Sequence, residues 1–134
     1  VYTVRMINTS GFMNNVFDVF SKHGISVDLI SSSEASITVT VEASQDVQSA
    51  VEELKSFGNV TIDRDKAQIS IIGKNIIGVR GLLSETFNAT IDSKIYMISQ
   101  GATYRNLSFV VDRPIMAEIL RKLHQAFFEN ENFN

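Results

Sequence analysis

The sequence contains no cysteine and only one proline in 134 residues. Without cysteine, the chain cannot form disulfides, use a thiolate in catalysis or bind zinc or an iron–sulfur cluster through sulfur. No apolar run approaches the roughly 20 residues that a membrane-spanning helix needs, and the amino terminus has no signal-peptide pattern. We therefore expect a cytoplasmic protein. Val1 stands directly in an extended pattern, which predicts that the chain is part of a longer polypeptide.

The charge balance excludes a second group of functions. The formal net charge is -3 and the sequence pI is about 5.3, so long-range electrostatics do not draw the chain to nucleic acid or to an anionic membrane. The hydrophobic content of 44% is ordinary for a globular protein, and the length suits one domain or two smaller units.

Hydrophobic periodicity predicts a β-α-β-β-α-β order in the first half of the chain. Alternation of apolar and polar residues predicts strands, and apolar residues at helical spacing predict helices. The predicted strands are 2–6, 24–30, 37–41 and 59–63, and the predicted helices run from Phe12 to His23 and from Ser44, as N-cap, to Phe57. Gly24 and Gly58 are predicted to end these helices. This order is that of a ferredoxin-like unit.

The same order starts again in the second half. Strands are predicted at 67–72, 95–99 and 107–111, and helices at 82–87 and from Pro114 to Phe127. Aligning 27–31 on 95–99 gives an internal repeat with an offset of 68. The sequence thus predicts an α+β fold of two ferredoxin-like βαββαβ units in tandem, 1–65 and 66–134, the second lacking its last strand within this chain. A segment upstream of Val1 or a partner chain would supply that strand.

Two carboxylates mark a candidate cation site in the first unit. Asp28 lies in a predicted strand, where aspartate is disfavoured, and Glu34 follows a run of serines six residues later. An exposed, solvated sheet face is the simpler explanation for one such aspartate. The sharper interpretation is a site that binds an ammonium group.

A candidate anion site faces these carboxylates. The turn from Met6 to Met13 leads into a helix N-terminus, where free N–H groups favour an anion, and Gly11 allows close backbone approach. One carboxylate and two ammonium groups describe lysine, whereas threonine would need only one of the two acidic residues. The second copy has Tyr96 and Ala102 at the positions of Asp28 and Glu34, and its turn introduces Lys74. We therefore expect the first copy to bind the effector and the second to be structural and to support a dimer.

The remaining candidates favour no enzyme activity in this chain. His23 at a helix end and His124 on the last helix are interpreted as local contacts, and neither has the neighbours of a metal site. No nucleophile–base pair, cofactor fingerprint or phosphate-binding glycine loop is present, so we expect no catalytic residue, metal or cofactor in this part of the polypeptide.

Several motifs of the chain resemble one family. Both halves of the chain resemble the tandem ACT domains of aspartokinases. The end of the chain resembles the monofunctional, lysine-inhibited type of that family. The residues that carry the resemblance are Gly11-Phe12-Met13, Val16-Phe17, 23–30 and Ser33-Glu34 in the first unit, and 95–102, 106–111, Lys122-Leu123-His124 and Phe128 in the second. The kinase domain of that family is absent from this sequence. The strand that precedes the first ACT unit and completes the second in that family is absent as well.

The resemblance implies a function, partners and a set of binding residues. It implies the regulatory region of an aspartate kinase that binds lysine for feedback inhibition, with ATP and magnesium confined to the upstream kinase domain of the same polypeptide. It also implies a homodimer in which ACT units of two chains pair and hold the effector at their interface. A threonine-binding module and a constitutive dimerisation module are the alternatives. The expected effector-binding residues are Met6, Thr9, Gly11, Phe12, Met13, Ser26, Val27, Asp28, Ser32, Ser33 and Glu34.

Overall fold

Strand β1, Tyr2–Met6, alternates as the sequence predicts, with Tyr2 and Val4 buried beneath the helices of the first unit. The computed structural model describes residues 1–6, 10–43, 45–101 and 105–129, without the side chain of Ile77. It divides the chain into two units, Val1–Arg64 and Asp65–Asn134. The remaining elements of the first unit are α1 (Phe12–Lys22), β2 (Val27–Ser33), β3 (Ser36–Val41), α2 (Gln48–Leu54) and β4 (Gly58–Ile62).

The four strands of the first unit form one antiparallel sheet in the order β2-β3-β1-β4. This is the ferredoxin-like arrangement, so the predicted fold of this unit is confirmed. Apolar side chains of α1 and α2 bury one face of the sheet. The most deeply buried side chains of this core are those of Val4, Val16, Ala50 and Leu54, and Ile37, Val39 and Val51 are buried with them.

Two glycines of this unit act in different ways. Gly24 ends α1 in the left-handed region, at φ 63°, as predicted. Gly58 does not stop a helix, because α2 ends earlier, at Leu54. It begins β4, where a Cβ would lie 2.7 Å from Val4 Cγ1 and 3.0 Å from the Arg5 carbonyl oxygen, so only glycine lets β4 approach β1 this closely.

The second unit repeats the plan with one strand fewer. Its elements are β5 (Lys66–Ile72), α3 (Leu82–Ala89), β6 (Met97–Gln100), β7 (Asn106–Asp112) and α4 (Met116–His124). A 3₁₀ turn, Ile76–Gly78, precedes α3, another, Arg113–Ile115, contains Pro114 and leads into α4, and Gln125–Glu129 continues α4 as a π-helical turn. The sheet order is β5-β7-β6, so among the described residues no strand lies on the outer side of β5. The predicted incomplete second sheet is confirmed.

Matching hydrogen bonds relate the two units residue by residue. Thr3 and Thr38 pair through their hydroxyls at 3.0 Å across β1 and β3, and Ser70 and Ser108 do so at 2.8 Å across β5 and β7. The first and third strands of the units are therefore offset by 67 and 70 residues. Several predicted boundaries were wrong. Strand β2 starts at Val27 instead of Gly24 and extends through the serines to Ser33 because they pair with β3, and β6 starts at Met97, two residues after the predicted Ile95.

The residue predicted to cap α2, Ser44, lies outside the described residues. In the described part of this turn, Asp46 Oδ1 accepts a hydrogen bond of 3.1 Å from the Gln48 amide, a local contact just before α2, whose N-cap is Val47.

Candidate functional site

A cavity of about 290 Å³ opens beside the start of α1 in the first unit. The Met6 amide, at the end of β1, donates a 2.9 Å hydrogen bond to the Ala35 carbonyl in the β2–β3 turn, which holds the hairpin next to the helix. The cavity therefore has a helix N-terminus on one side and a hairpin tip on the other. Its lining is Met6, Gly11, Phe12, Met13, Ser33, Glu34, Ser36 and Ile37.

Gly11 sets the direction of the helix that faces the cavity. It stands at the N-cap with φ 85° and ψ 5°, a left-handed conformation that residues with a side chain rarely adopt. Among the described residues no side chain caps α1, and its first turn contains no acidic residue. The first-turn amides, which have no carbonyl partner within the helix, are thus available to an anion in the cavity.

The hairpin tip contributes hydroxyls and one carboxylate. Ser33 and Ser36 hydrogen-bond to each other through their Oγ atoms at 2.7 Å, which fixes both side chains across the two-residue turn. Glu34 is exposed in that turn and lines the cavity. Within the described ranges no cation lies at ion-pair distance from its carboxylate, so a bound cation would not have to displace one.

Asp28 lies on a β-bulge of the edge strand β2. The register with β3 shifts between Val27 and Ile30, and the Leu29 amide donates to Thr40 Oγ1 at 2.9 Å instead of to a backbone carbonyl. Leu29 is buried and the Asp28 side chain is exposed. The bulge thus accounts for an aspartate inside a strand, because at this point the regular pairing is interrupted.

The structure divides the expected binding residues into two groups. Met6, Gly11, Phe12, Met13, Ser33 and Glu34 meet at the cavity. Val27 and Asp28 lie at the opposite end of β2, with Asp28 about 16 Å along the strand from Ser33, and Ser26 precedes the strand; none of the three lines the cavity. Ser32 is exposed near the hairpin but is not part of the lining, and Thr9 lies outside the described residues.

Sequence reasoning missed two lining residues, Ser36 and Ile37. Both follow the hairpin turn, and the pairing of Ser33 with Ser36 would have indicated them had the turn been placed at Glu34 and Ala35. Ile37 is buried and closes the floor of the cavity, and Ser36 adds a hydroxyl to its rim.

The second unit is chemically different at the position of Asp28. Sheet register aligns Ser31 with Ser99, and the same offset places the buried Leu29 at Met97 and the residue before each, Asp28 and Tyr96, at corresponding positions. Lys66 Nζ lies 4.1 Å and Lys94 Nζ 4.6 Å from the centre of the Tyr96 ring. With two ammonium groups and one carboxylate, that of Asp112, this cluster disfavours a cationic ligand, whereas the exposed carboxylate of Asp28 in the first unit favours one.

An ion pair completes this cluster. Lys66 Nζ donates to Asp112 Oδ1 at 2.7 Å, and the Tyr96 hydroxyl donates to the same oxygen at 3.1 Å. The hydrogen bond from Lys66 is the main reason that the pKa of the Asp112 carboxyl lies below its usual range, and the same contact raises the pKa of Lys66. The cluster ties β5 to β7 and to the start of β6.

Both histidines contact carboxylates, and the partner of His23 at the end of α1 is a side chain of α2. His23 Nε2 lies 2.8 Å from Glu53 Oε2, and Lys22 Nζ donates to the same carboxylate at 2.9 Å, linking the end of α1 to α2. These contacts, that of Lys22 first, lower the pKa of the Glu53 carboxyl. His124 contacts Glu129 at 3.3 Å. Over the described ranges, no cluster of three or more metal-ligating side chains occurs, and no helix is long and apolar enough to cross a membrane.

Comparisons with known proteins agree with this fold. The family model described as "ACT domain" matches residues 1–56 and 69–127. Aspartokinase 1, chloroplastic, of Arabidopsis thaliana is 34% identical over 97% of this chain and 25% of that protein, and lysine-sensitive aspartokinase 3 of Escherichia coli is 30% identical over 96% of this chain and 30% of that protein. The chain thus spans about a quarter to a third of the relatives that it matches.

A solved structure of Escherichia coli aspartokinase III in complex with lysine and aspartate, in the T-state, superposes with a TM-score of 0.79 at 30% identity. The match covers 95% of this chain and 30% of the chain in that structure. The resemblance to aspartokinases drawn from the sequence motifs is confirmed, and the two matched segments fall in the two units described above. The chain belongs to the ACT domain family.

Proposed function

We propose that this chain is the regulatory region of an aspartate kinase and that its first unit binds lysine as a feedback inhibitor. The observation that carries the proposal is the first-unit cavity, which places an uncapped helix N-terminus opposite the carboxylate of Glu34. The lysine complex of the Escherichia coli relative supports the choice of ligand.

The geometry suggests how lysine would be recognised. Its α-carboxylate accepts hydrogen bonds from the first-turn amides of α1, where Gly11 sets the chain direction. One ammonium group pairs with Glu34, and the Ser33 and Ser36 hydroxyls accept hydrogen bonds from the remaining N–H groups of that ammonium. The methylene chain of lysine packs on Met6 and Phe12, which suits its apolar length.

The second carboxylate comes from a second copy of the chain. Asp28 is too far along β2 to reach a ligand held at the α1 N-terminus of its own unit. It lies on an edge strand, and a paired copy would bring its own β2 edge to the cavity. Two apolar side chains near these groups, Met13 and Ile30, are 47% and 48% exposed and would be covered by such pairing. Binding and pairing would thus be coupled.

Regulation follows from that coupling. A ligand that binds the paired arrangement more tightly shifts the population towards it, by no more than its differential affinity. In the longer polypeptide, we propose that this shift disfavours the active state of an upstream kinase domain, which holds ATP and magnesium. Lysine would then inhibit the first step of its own pathway.

Calorimetric titration of the 134-residue chain with lysine, threonine and methionine tests the proposal. Saturable heat with lysine and none with the other two is expected. A response to threonine alone would reassign the effector. No response to any of the three, in a protein that is a dimer without ligand, would favour a constitutive dimerisation module, for which the exposed Met13 and Ile30 side chains are the supporting observation.

A further inference from the structure

The second unit repeats the frame of the first-unit cavity. In the first unit the Met6 amide donates to the Ala35 carbonyl, and in the second the Gly73 amide donates to the Arg105 carbonyl, both at 2.9 Å. Each bond joins the end of the first strand to the turn between the second and third strands. Gly73 therefore stands where Met6 lines the cavity of the first unit.

The helix and the floor correspond as well. Both helices follow a glycine in the left-handed region, at φ 85° before α1 and 83° before α3, so Leu82 corresponds to Phe12. In each sheet the third strand pairs with the first strand. Ile37 and Leu107 occupy the same position in this pairing, so these two residues also correspond. Three lining positions of the first-unit cavity thus have direct counterparts around Leu82 and Leu107.

A side chain of the chain itself occupies this frame in the second unit. The segment from Gly73 to Leu82 is three residues longer than the corresponding segment from Met6 to Phe12, and it contains a 3₁₀ turn that begins with Ile76. Ile76 is 7% exposed and packs with Leu82 and Leu107. A Cβ on Gly73 would overlap Ile76 Cγ2, so the loss of a side chain at this position is what makes room for Ile76.

We propose that Ile76 is a built-in occupant of the second unit's cavity and that it closes this unit to ligands. A tethered side chain is present at its site at a high effective concentration, so a free ligand must displace it before binding. The burial of a branched aliphatic side chain further favours the closed state. The claim that this confines the effector to the first unit rests on the function proposed above, whereas the occupancy itself does not.

Methyl NMR of the unaltered protein tests the occupancy directly. Nuclear Overhauser effects are expected from the Ile76 methyl groups to the methyl groups of Leu82 and Leu107. Their absence in a folded protein would overturn the proposal.

Removal of the occupant provides the second test. Ile76→Ala should open a cavity with access to solvent, and isobutanol should raise the melting temperature of this variant by a few degrees relative to its effect on the unaltered protein. Ile69→Ala is the matched control, because Ile69 is also buried in the second unit but packs in a different cluster, away from the loop. Equal stabilisation of both variants, or of neither, would overturn the proposal.

A lysine titration separates this proposal from the proposed function. Lysine affinity should be the same for Ile76→Ala and the unaltered chain, because the effector is held by the first unit. If neither binds lysine while the Ile76 contacts and the isobutanol effect are observed, the proposed function fails and the built-in occupant stands. If Ile76→Ala alone loses lysine, the effector site involves this loop and the proposal is overturned.

Discussion

Single residues separate the two units more sharply than their backbones do. Asp28 and Tyr96 precede corresponding buried residues, Leu29 and Met97, yet one is an exposed carboxylate and the other has two lysine ammonium groups near its ring. Since opposite charges at the same place favour opposite ligands, this one position would distinguish a cation-binding unit from one that does not bind cations.

Asp28→Asn should weaken lysine binding by roughly 10- to 100-fold, because a hydrogen bond to a charged group contributes about 1.5–3 kcal/mol. The amide keeps the size of the side chain and removes only its charge. Isothermal titration measures the affinity. Tyr96→Phe is the matched control at the equivalent position and should leave lysine affinity unchanged; the opposite pattern would put the site on the second unit.

The Lys66–Asp112 pair should make stability depend on pH. The folded pKa of Asp112 is lowered, so its contribution is present above the ordinary aspartate pKa of about 4 and is lost as the pH falls through the folded value. Asp112→Asn should therefore lower the melting temperature near neutral pH, and the two proteins should converge in acid. A difference that persists unchanged in acid would mean that the pair does not supply the stability.

Elements set the positions from which these residues act. The bulge in β2 turns Asp28 outward while Leu29 stays in the core, and the hairpin turn at Glu34 brings Ser33 and Ser36 against the start of α1. A helix that begins after a left-handed glycine recurs in both units, and in the first unit an open cavity lies before it.

Gly11→Ala should destabilise the chain by about 1–2 kcal/mol, because a Cβ is strained in the left-handed region. It should also weaken lysine binding, since the first-turn amides of α1 would be displaced. Gly81→Ala imposes the same strain on α3 and should lower stability similarly without changing lysine affinity. Urea unfolding and calorimetry measure the two effects, and equal losses of affinity in both variants would contradict the assignment of the site.

At the scale of the whole molecule, each unit leaves an edge strand without a partner among the described residues. The outer side of β5 is unpaired among these residues, and so is that of β2, which carries the Asp28 bulge and Ile30. Strands β4 and β6 form the other edges of the two sheets. Unpaired N–H and C=O groups on such edges favour association with another strand.

Sedimentation of the 134-residue chain should therefore show a dimer or larger oligomer, and lysine should shift the equilibrium further towards it. Asp28→Asn is the informative variant, because it should remove the lysine-dependent part of the shift and leave most of the basal association. A monomer at every concentration, with and without lysine, would contradict both the pairing and the shared site.

The sequence by itself was sufficient for the fold class, the repeat and the missing strand, because these depend on local periodicity. Val4, Val16 and Leu54 are buried as their spacing predicts, and the order of strands follows from the β-α-β-β-α-β pattern. The left-handed conformation of Gly24 was likewise predicted, since a glycine that ends a helix adopts it for local reasons.

Only the tertiary structure decided which of the candidate residues meet. Asp28 and Glu34 are close in sequence, but an extended strand separates residues by about 3.3 Å each, so they stand at opposite ends of β2. Ser36 and Ile37 line the cavity of the first unit, and Ile76 packs in the corresponding place of the second. Both follow from the packing of a hairpin or loop against a helix, which depends on contacts between segments distant in sequence. Periodicity carries no information about such contacts.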